Sequence, residues 1–375
     1  MHPVPKIPVS VYYEGIPGKQ WEAMFGPDYL KCTAGLARSI EYDLRRRIWM
    51  AENVPDDHIV WPTVVVAAPK REQRGWGVEL GWKHADSDLG ANAYDPPFKD
   101  GVELHRLTKP VITWDEEELQ RQLEHARHFT GGKLTVFPNF RHVSHAPFDY
   151  AVQMRGMENL LMDVALQPGT VHALMEFITS WIENVDRERE RAGRLSVFPS
   201  PGGWQEYGFR IHCAWLTPDF TGRKPALRDE WVYLTDQTSA GLGPDQYAEF
   251  IQPYHARLAA PYTNTTIYYH GCECLDLKGP VIKKNPNLRR FHVSPWSSVA
   301  KAVETFRGSV VMEVHDHPGN TFLKSDAEMQ ASLRKLVDAA AGHPMDLNIS
   351  DIHTFDGKPQ NLVRWARAAQ AVAGG

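Results

Sequence analysis

Apolar residues change their period along this chain of 375 residues, and the change divides it. Between about residues 27 and 52, Leu30, Leu36, Ile40, Leu44 and Ile48 fall at helical spacing, which predicts an amphipathic helix. Before it, residues 1–30 are rich in Pro, Gly and aromatics and read as an extended arm. After it the period shortens: residues 63–68 predict a strand, residues 75–82 suggest a β-hairpin, and the polar stretch 84–101 with Pro96-Pro97 reads as a loop over one face. Past Pro110 a rhythm of strand and helix sets in. A helix opens at Trp114-Asp115-Glu116-Glu117 with its acids in the first turn, and 134–138 is a strand. Residues 155–163 and 168–192 are helical, and 196–230 are irregular.

The second half alternates most regularly. Strands at 231–235, 265–269, 290–293, 309–314 and 345–349 are separated by helices at 244–260, 275–284, 297–306 and 325–341, and a last helix covers 359–371. Short apolar strands alternating with amphipathic helices call for a parallel sheet. No glycine-rich phosphate loop follows any strand, which favours a closed (β/α)8 TIM barrel over an open nucleotide-binding sheet. The expected organisation is an N-terminal elaboration over residues 1–110 packed on a barrel whose main part is 111–375.

Composition narrows the class. Charged residues make up 23% and the net charge is -5, and the arginine runs at 45–47 and 187–194 are interleaved with acids, so no stripe suits a nucleic-acid backbone. No apolar run is long enough to span a bilayer, and the first residues lack the apolar core of a signal peptide, so the expectation is a cytoplasmic protein with no membrane role. Its four cysteines are then expected reduced and available as ligands.

The candidate chemistry gathers where strands end. The stretch Tyr268-Tyr269-His270-Gly271-Cys272-Glu273-Cys274 puts an imidazole and two thiols within five residues, the donor types that zinc takes. Asp236, Ser294 with Trp296, Glu313 with His315 and His317, and Ser350 with Asp351 and His353 stand at the other strand ends. A barrel would bring them to one mouth. Each also has a plain alternative: the cysteines as small packing groups, Asp236 as a cap of the helix beginning near Gly243-Pro244, the histidines as loop residues, Asp351 as an exposed acid. Asp236 and Glu313 are the candidate catalytic carboxylates, and Trp204, Tyr207, Trp215, Trp296 and His315 are candidates to line a substrate pocket.

Several segments carry a resemblance. The run from Leu234 through Asp236, Gly243-Pro244 and Tyr247 to His255, the segment Arg155-Gly156-Met157-Glu158-Asn159-Leu160 through Asp163 and Pro168, and the closing Lys358-Pro359-Gln360-Asn361-Leu362 resemble the uroporphyrinogen decarboxylase superfamily over about residues 110–371. The arginine-rich N-terminal motif of the true decarboxylases is missing. The pair His270-x-Cys272 instead resembles the zinc motif of the corrinoid-dependent methyltransferases in that superfamily. That resemblance implies zinc held by His270, Cys272 and a third ligand after the last strand. It also implies a cobalamin (corrinoid) cofactor on a separate corrinoid protein as partner. The relatives carry a Cys at the third position and this chain has none there; His353 falls in its place, and Cys274, Asp236 and Glu313 are the alternatives, Cys274 only if the chain turns at Glu273. The abundance of aromatics favours an O-demethylase component acting on a methoxylated aromatic methyl donor. The rival readings are a methylcobamide:thiol methyltransferase, a cofactor-free decarboxylase using Asp236, and a barrel that only binds its ligand. A homodimer is compatible with any of them.

Overall fold

The computed structural model describes residues 6–13, 15–26, 28–33, 35–84, 92–140, 143–195, 224–263 and 267–374. In chain order its strands are β1 (Val9–Val11), β2 (Thr63–Ala67), β3 (Lys70–Arg74), β4 (Gly81–Lys83), β5 (Ala93–Asp95) and β6 (Val111–Trp114). They continue with β7 (Thr135–Asn139), β8 (Val232–Leu234), β9 (Ile267–Tyr269), β10 (Leu288–Val293), β11 (Val311–Asp316) and β12 (Met345–Ile349). A central sheet of six parallel strands runs β1-β12-β11-β10-β9-β8, with helices between successive strands. β2 and β7 make a second, two-stranded parallel ladder. Two antiparallel pairs, β3 with β6 and β4 with β5, elaborate the N-terminal part.

Among the described residues the hydrogen-bonded ladders account for six strands in one sheet and do not by themselves establish the ring of eight that the sequence pattern predicts. Among the described residues no ladder joins β2 or β7 to the central sheet. At one edge the reason is visible: the Val9 and Val11 amides donate to the carboxylates of Asp57 and Asp56, so side chains occupy the edge where a strand would sit. At the other, the outer side of β8 makes, among the described residues, a parallel bridge of Leu234 with His145 in place of a ladder.

Several elements differ locally from the expectation. Val9–Val11 belongs to the central sheet, where its three residues are fully buried against β12, rather than to an arm. The hairpin expected at 75–82 forms between β4 and β5 instead. The helix expected at 27–52 begins only at Gly35 and runs to Asn53, and a separate helix, Gly18–Phe25, stands in the segment expected to be an extended arm. The helix expected at 244–260 breaks into Pro244–Phe250 and Gln252–Ala259, because Pro253 lacks an amide hydrogen to continue the first.

A similar break separates Pro147–Arg155 from Met157–Leu166, and Gly156 makes it with φ 83°, a backbone state that an L side chain resists. An added Cβ there would sit 3.1 Å from Pro96 Cγ. Gly156→Ala should therefore lower stability by about 1–2 kcal/mol, read as a reduced midpoint in urea unfolding. An unchanged midpoint would show that the turn relaxes freely.

One core cluster unites the layers, joining Trp21, Met50, Trp76 and Phe98 of the N-terminal part to the strands and helices of the second half. A second lies between the β2–β7 ladder and its helices, with Ile40, Val64, Leu119 and Val136. No helix of the described residues is long and apolar enough to cross a membrane.

Candidate active site

Alternation within the central strands positions the site. Side chains two apart share a face of a strand. In β9 to β12 and β1, the set Ile267, Phe291, Val293, Met312, Val314, Leu347, Ile349, Val9 and Val11 belongs to the main core. The intervening positions are Tyr268, Arg290, His292, Glu313, His315, Asp346, Asn348 and Ser10, every one buried. Register sets these polar groups side by side: Arg290 beside Tyr268, His292 beside Glu313, Glu313 beside Asp346, His315 beside Asn348, and Asn348 beside Ser10. One face of the sheet is thus apolar and the other a continuous buried polar surface, and such a surface must be paired internally or serve a ligand.

Its centre is paired internally. Arg290, 1% exposed, donates from Nε to Glu313 Oε2 at 2.8 Å and from Nη1 and Nη2 to the two oxygens of Asp346 at 2.5 and 2.8 Å. Burial alone would raise the Glu313 carboxyl, but the guanidinium and the hydrogen bond from His315 overcome it and hold it at about 2. His315 is fully engaged, bonded to Glu313 through Nε2 and to Ser350 through Nδ1.

Nearer the strand ends stand the metal-type donors. His270 Nε2 lies 3.1 Å from Cys272 Sγ, and its Nδ1 is 2.8 Å from the Tyr268 hydroxyl, a partner that fixes the ring. Zinc bonds of about 2.0 Å to nitrogen and 2.3 Å to sulfur at a tetrahedral angle put the two donors about 3.5 Å apart, so this pair fits the ion with a shift of a few tenths of an ångström. Burial, with the neighbouring His292 and His315, pushes the His270 imidazole well below its ordinary value and keeps it neutral, as a ligand must be. Burial, Asp351 and Glu273 push the Cys272 thiol up to about 12, so binding a cation there would release its proton. Gln237 Nε2 lies 3.2 Å from the same sulfur.

A third ligand is not brought in. Among the described residues no three His, Cys, Asp or Glu side chains converge as a metal-holding group. Cys274 is exposed, and His353 is exposed with its ring against Gly15. Asp236 is fully buried: Oδ1 accepts from the amides of Phe148 and Asp149 at the start of helix Pro147–Arg155, and Oδ2 is 2.8 Å from His255 Nε2, at ion-pair distance without the alignment of a hydrogen bond. It caps a helix, though a different one from the helix at Gly243-Pro244. Burial and the nearby Asp149 raise its carboxyl well above the usual range. Trp296 is 63% exposed, edge-on to His317. Trp204, Tyr207 and Trp215 lie outside the described residues.

Sequence reasoning stopped at strand ends and so missed Arg290, His292, Asp346, Asn348 and Ser10. The signal was present as polar residues at every second position of otherwise apolar strands, Arg290-Phe291-His292-Val293 above all.

The architecture is that of an α/β protein built on a parallel sheet, with a polar inner face and a His-x-Cys pair at a strand end. No protein-family model matches the chain, and no curated protein matches it. Among solved structures it is similar in fold to a methyltransferase from Methanosarcina mazei, at a TM-score of 0.55 and 11% identity, over 98% of this chain and 95% of that one.

Proposed function

We propose that this chain is a zinc-dependent methyltransferase that takes the methyl group of a methoxylated, aromatic small molecule and passes it to cob(I)alamin on a separate corrinoid protein. The carrying observation is the His270 Nε2 to Cys272 Sγ spacing of 3.1 Å at the end of β9. The fold likeness to a methyltransferase and the resemblance of His270-x-Cys272 to a zinc motif support it. In this reading the parallel strands are those of a (β/α)8 barrel interrupted at the edges of β1 and β8.

His270 and Cys272 would hold the metal, Tyr268 orients the imidazole, and Gln237 donates toward the sulfur. Zinc, when bound, supplies a Lewis acid that polarises an ether oxygen. His353 is the proposed third ligand, with Cys274 the alternative; either side chain has to turn inward from its exposed position. The polar face excludes bulk water and offers the substrate fixed hydrogen-bonding groups. Arg290 is taken up by Glu313 and Asp346, which speaks against the rival decarboxylase of a carboxylated ring, since no guanidinium is offered to a substrate anion there.

Elemental analysis of protein purified without chelator should find about one zinc per chain, and the cob(I)alamin spectrum should be converted to that of methylcobalamin only when an aryl methyl ether is added. A metal-free protein that leaves cob(I)alamin unchanged with every methyl ether would end this reading.

A further inference from the structure

The polar face carries hydrogen-bonding atoms that the protein leaves unused. His292 Nε2, Asn348 Oδ1 and Ser10 Oγ have no hydrogen-bond partner, and their residues are 2%, 0% and 0% exposed. All three lie on the same face of the central sheet, on β10, β12 and β1, with Ser10 directly beside Asn348. Buried polar atoms without partners are rare and costly, so each calls for an explanation.

The chemistry of two of them is fixed by their neighbours. His292 Nδ1 lies 2.8 Å from the Gly271 carbonyl oxygen, so Nδ1 carries the hydrogen and donates it, and Nε2 holds a lone pair. The ring is held in place by parallel stacking on His270 at 4.1 Å between centroids and by edge contact with His315 at 4.4 Å. Asn348 donates from Nδ2 to Asp346, leaving Oδ1 as a second acceptor. Beside the candidate zinc ligand His270 there is therefore a rigid acceptor with nothing to accept from.

We propose that His292 is a substrate-binding residue whose Nε2 accepts a hydrogen bond from a hydroxyl group of the bound molecule, so that the site takes an uncharged, hydroxyl-bearing ligand. This rests on the site being one for a methoxylated small molecule, and deepens it by stating what else that molecule carries. An anion is disfavoured because Arg290 already serves Glu313 and Asp346, and a further negative charge would meet two carboxylates. A ligand with a methyl group in place of the hydroxyl would bury the Nε2 lone pair against carbon, the situation in which polar sites discriminate best.

Isothermal titration of the full chain with guaiacol, a methoxyphenol, with veratrole, its methyl ether, and with o-anisate, a methoxy carboxylate, tests this. The wild type should bind guaiacol at least about tenfold tighter than veratrole and o-anisate most weakly. His292→Asn places an amide nitrogen where Nδ1 stood, keeps the bond to Gly271 and leaves no acceptor at the Nε2 position, its own oxygen falling near the former Cδ2. It should erase the preference for guaiacol, bringing its affinity to that of veratrole, and lower the unfolding midpoint, because the smaller side chain leaves part of the stacked ring's space empty. His292→Gln, which restores an acceptor oxygen, should recover part of the preference and stands in if His292→Asn does not fold. Guaiacol failing to bind, o-anisate binding tightest, or a preference that survives His292→Asn overturns the proposal. A preference lost in His292→Asn with no methyl ever reaching cob(I)alamin leaves the binding role standing and removes methyl transfer, so the two failures are distinct.

Discussion

Arg290→Met should destabilise the protein by about 3–5 kcal/mol at neutral pH, because it removes the guanidinium that neutralises two buried carboxylates. Glu313 and Asp346 are both 0% exposed, and the three bonds from Arg290 at 2.5 to 2.8 Å are what let them stay ionised. Truncating a residue that merely packs in this core would be expected to cost less than taking the counter-charge away from two buried carboxylates. The pH dependence has a definite sign. In the wild type the Glu313 carboxyl is held at about 2 against an ordinary 4.5, so its contribution is complete above about 4.5 and is lost as pH falls toward 2. In the variant, burial without the guanidinium should raise the Glu313 carboxyl, so the deficit relative to wild type should shrink on acidification. Urea unfolding at neutral and mildly acidic pH reads both effects. Equal midpoints for variant and wild type at neutral pH would mean that solvent reaches these carboxylates and that the polar face is not a closed interior.

Cys272→Ala should abolish methyl transfer and reduce zinc affinity by more than about 100-fold, since loss of even an outer-shell partner costs 10–100-fold and this residue would be a direct ligand. The fold should persist, because Cys272 is only partly buried and belongs to neither main core cluster. Cys274→Ala is the natural comparison: that thiol is exposed, and with His353 supplying the third ligand its loss should change zinc content little. The wild type should also bind zinc more weakly as pH falls, because the thiol, pushed up to about 12 by burial, must give up its proton to the solvent on binding. Zinc content after dialysis against a competing chelator, with a thermal melt of each variant, makes the comparison. Full zinc in Cys272→Ala would move the metal elsewhere, and loss of zinc only in Cys274→Ala would place the turn at Glu273 and the ligand pair with it.

The two experiments concern Arg290 within β10 and Cys272 in the loop that follows β9, yet only one of the two sites was legible beforehand. The stretch His270-Gly271-Cys272 announces itself because donor atoms of one chemical kind are close in sequence, and a chain of this length places them so rarely by chance. The strand and helix alternation from β7 onward was legible for a related reason, since period and turn residues are local properties; the helix Pro168–Ala192 and the strand Met345–Ile349 have the bounds their patterns predict.

What the sequence could not determine was decided by register and packing. Asp56 and Asp57 reach across 45 and 48 residues to occupy the edge of β1, and no local pattern distinguishes an acid that does this from one in solvent. Arg290 reads as a charged residue at the start of a strand until β11 and β12 set Glu313 and Asp346 within its reach, 23 and 56 residues away. Cys274 and His353 have the right chemistry for ligands but stand exposed, since a donor's identity is a local fact and its direction is set by how the loop packs. His292 carries the same lesson in reverse: its sequence neighbours suggest a core position, and only the stacking of β10 on β9 shows an imidazole nitrogen buried beside His270 with no partner of its own. The sequence determined which chemical groups the strands carry, because alternation is written residue by residue. The tertiary structure decided which of them meet, because parallel register joins residues that no short-range interaction couples.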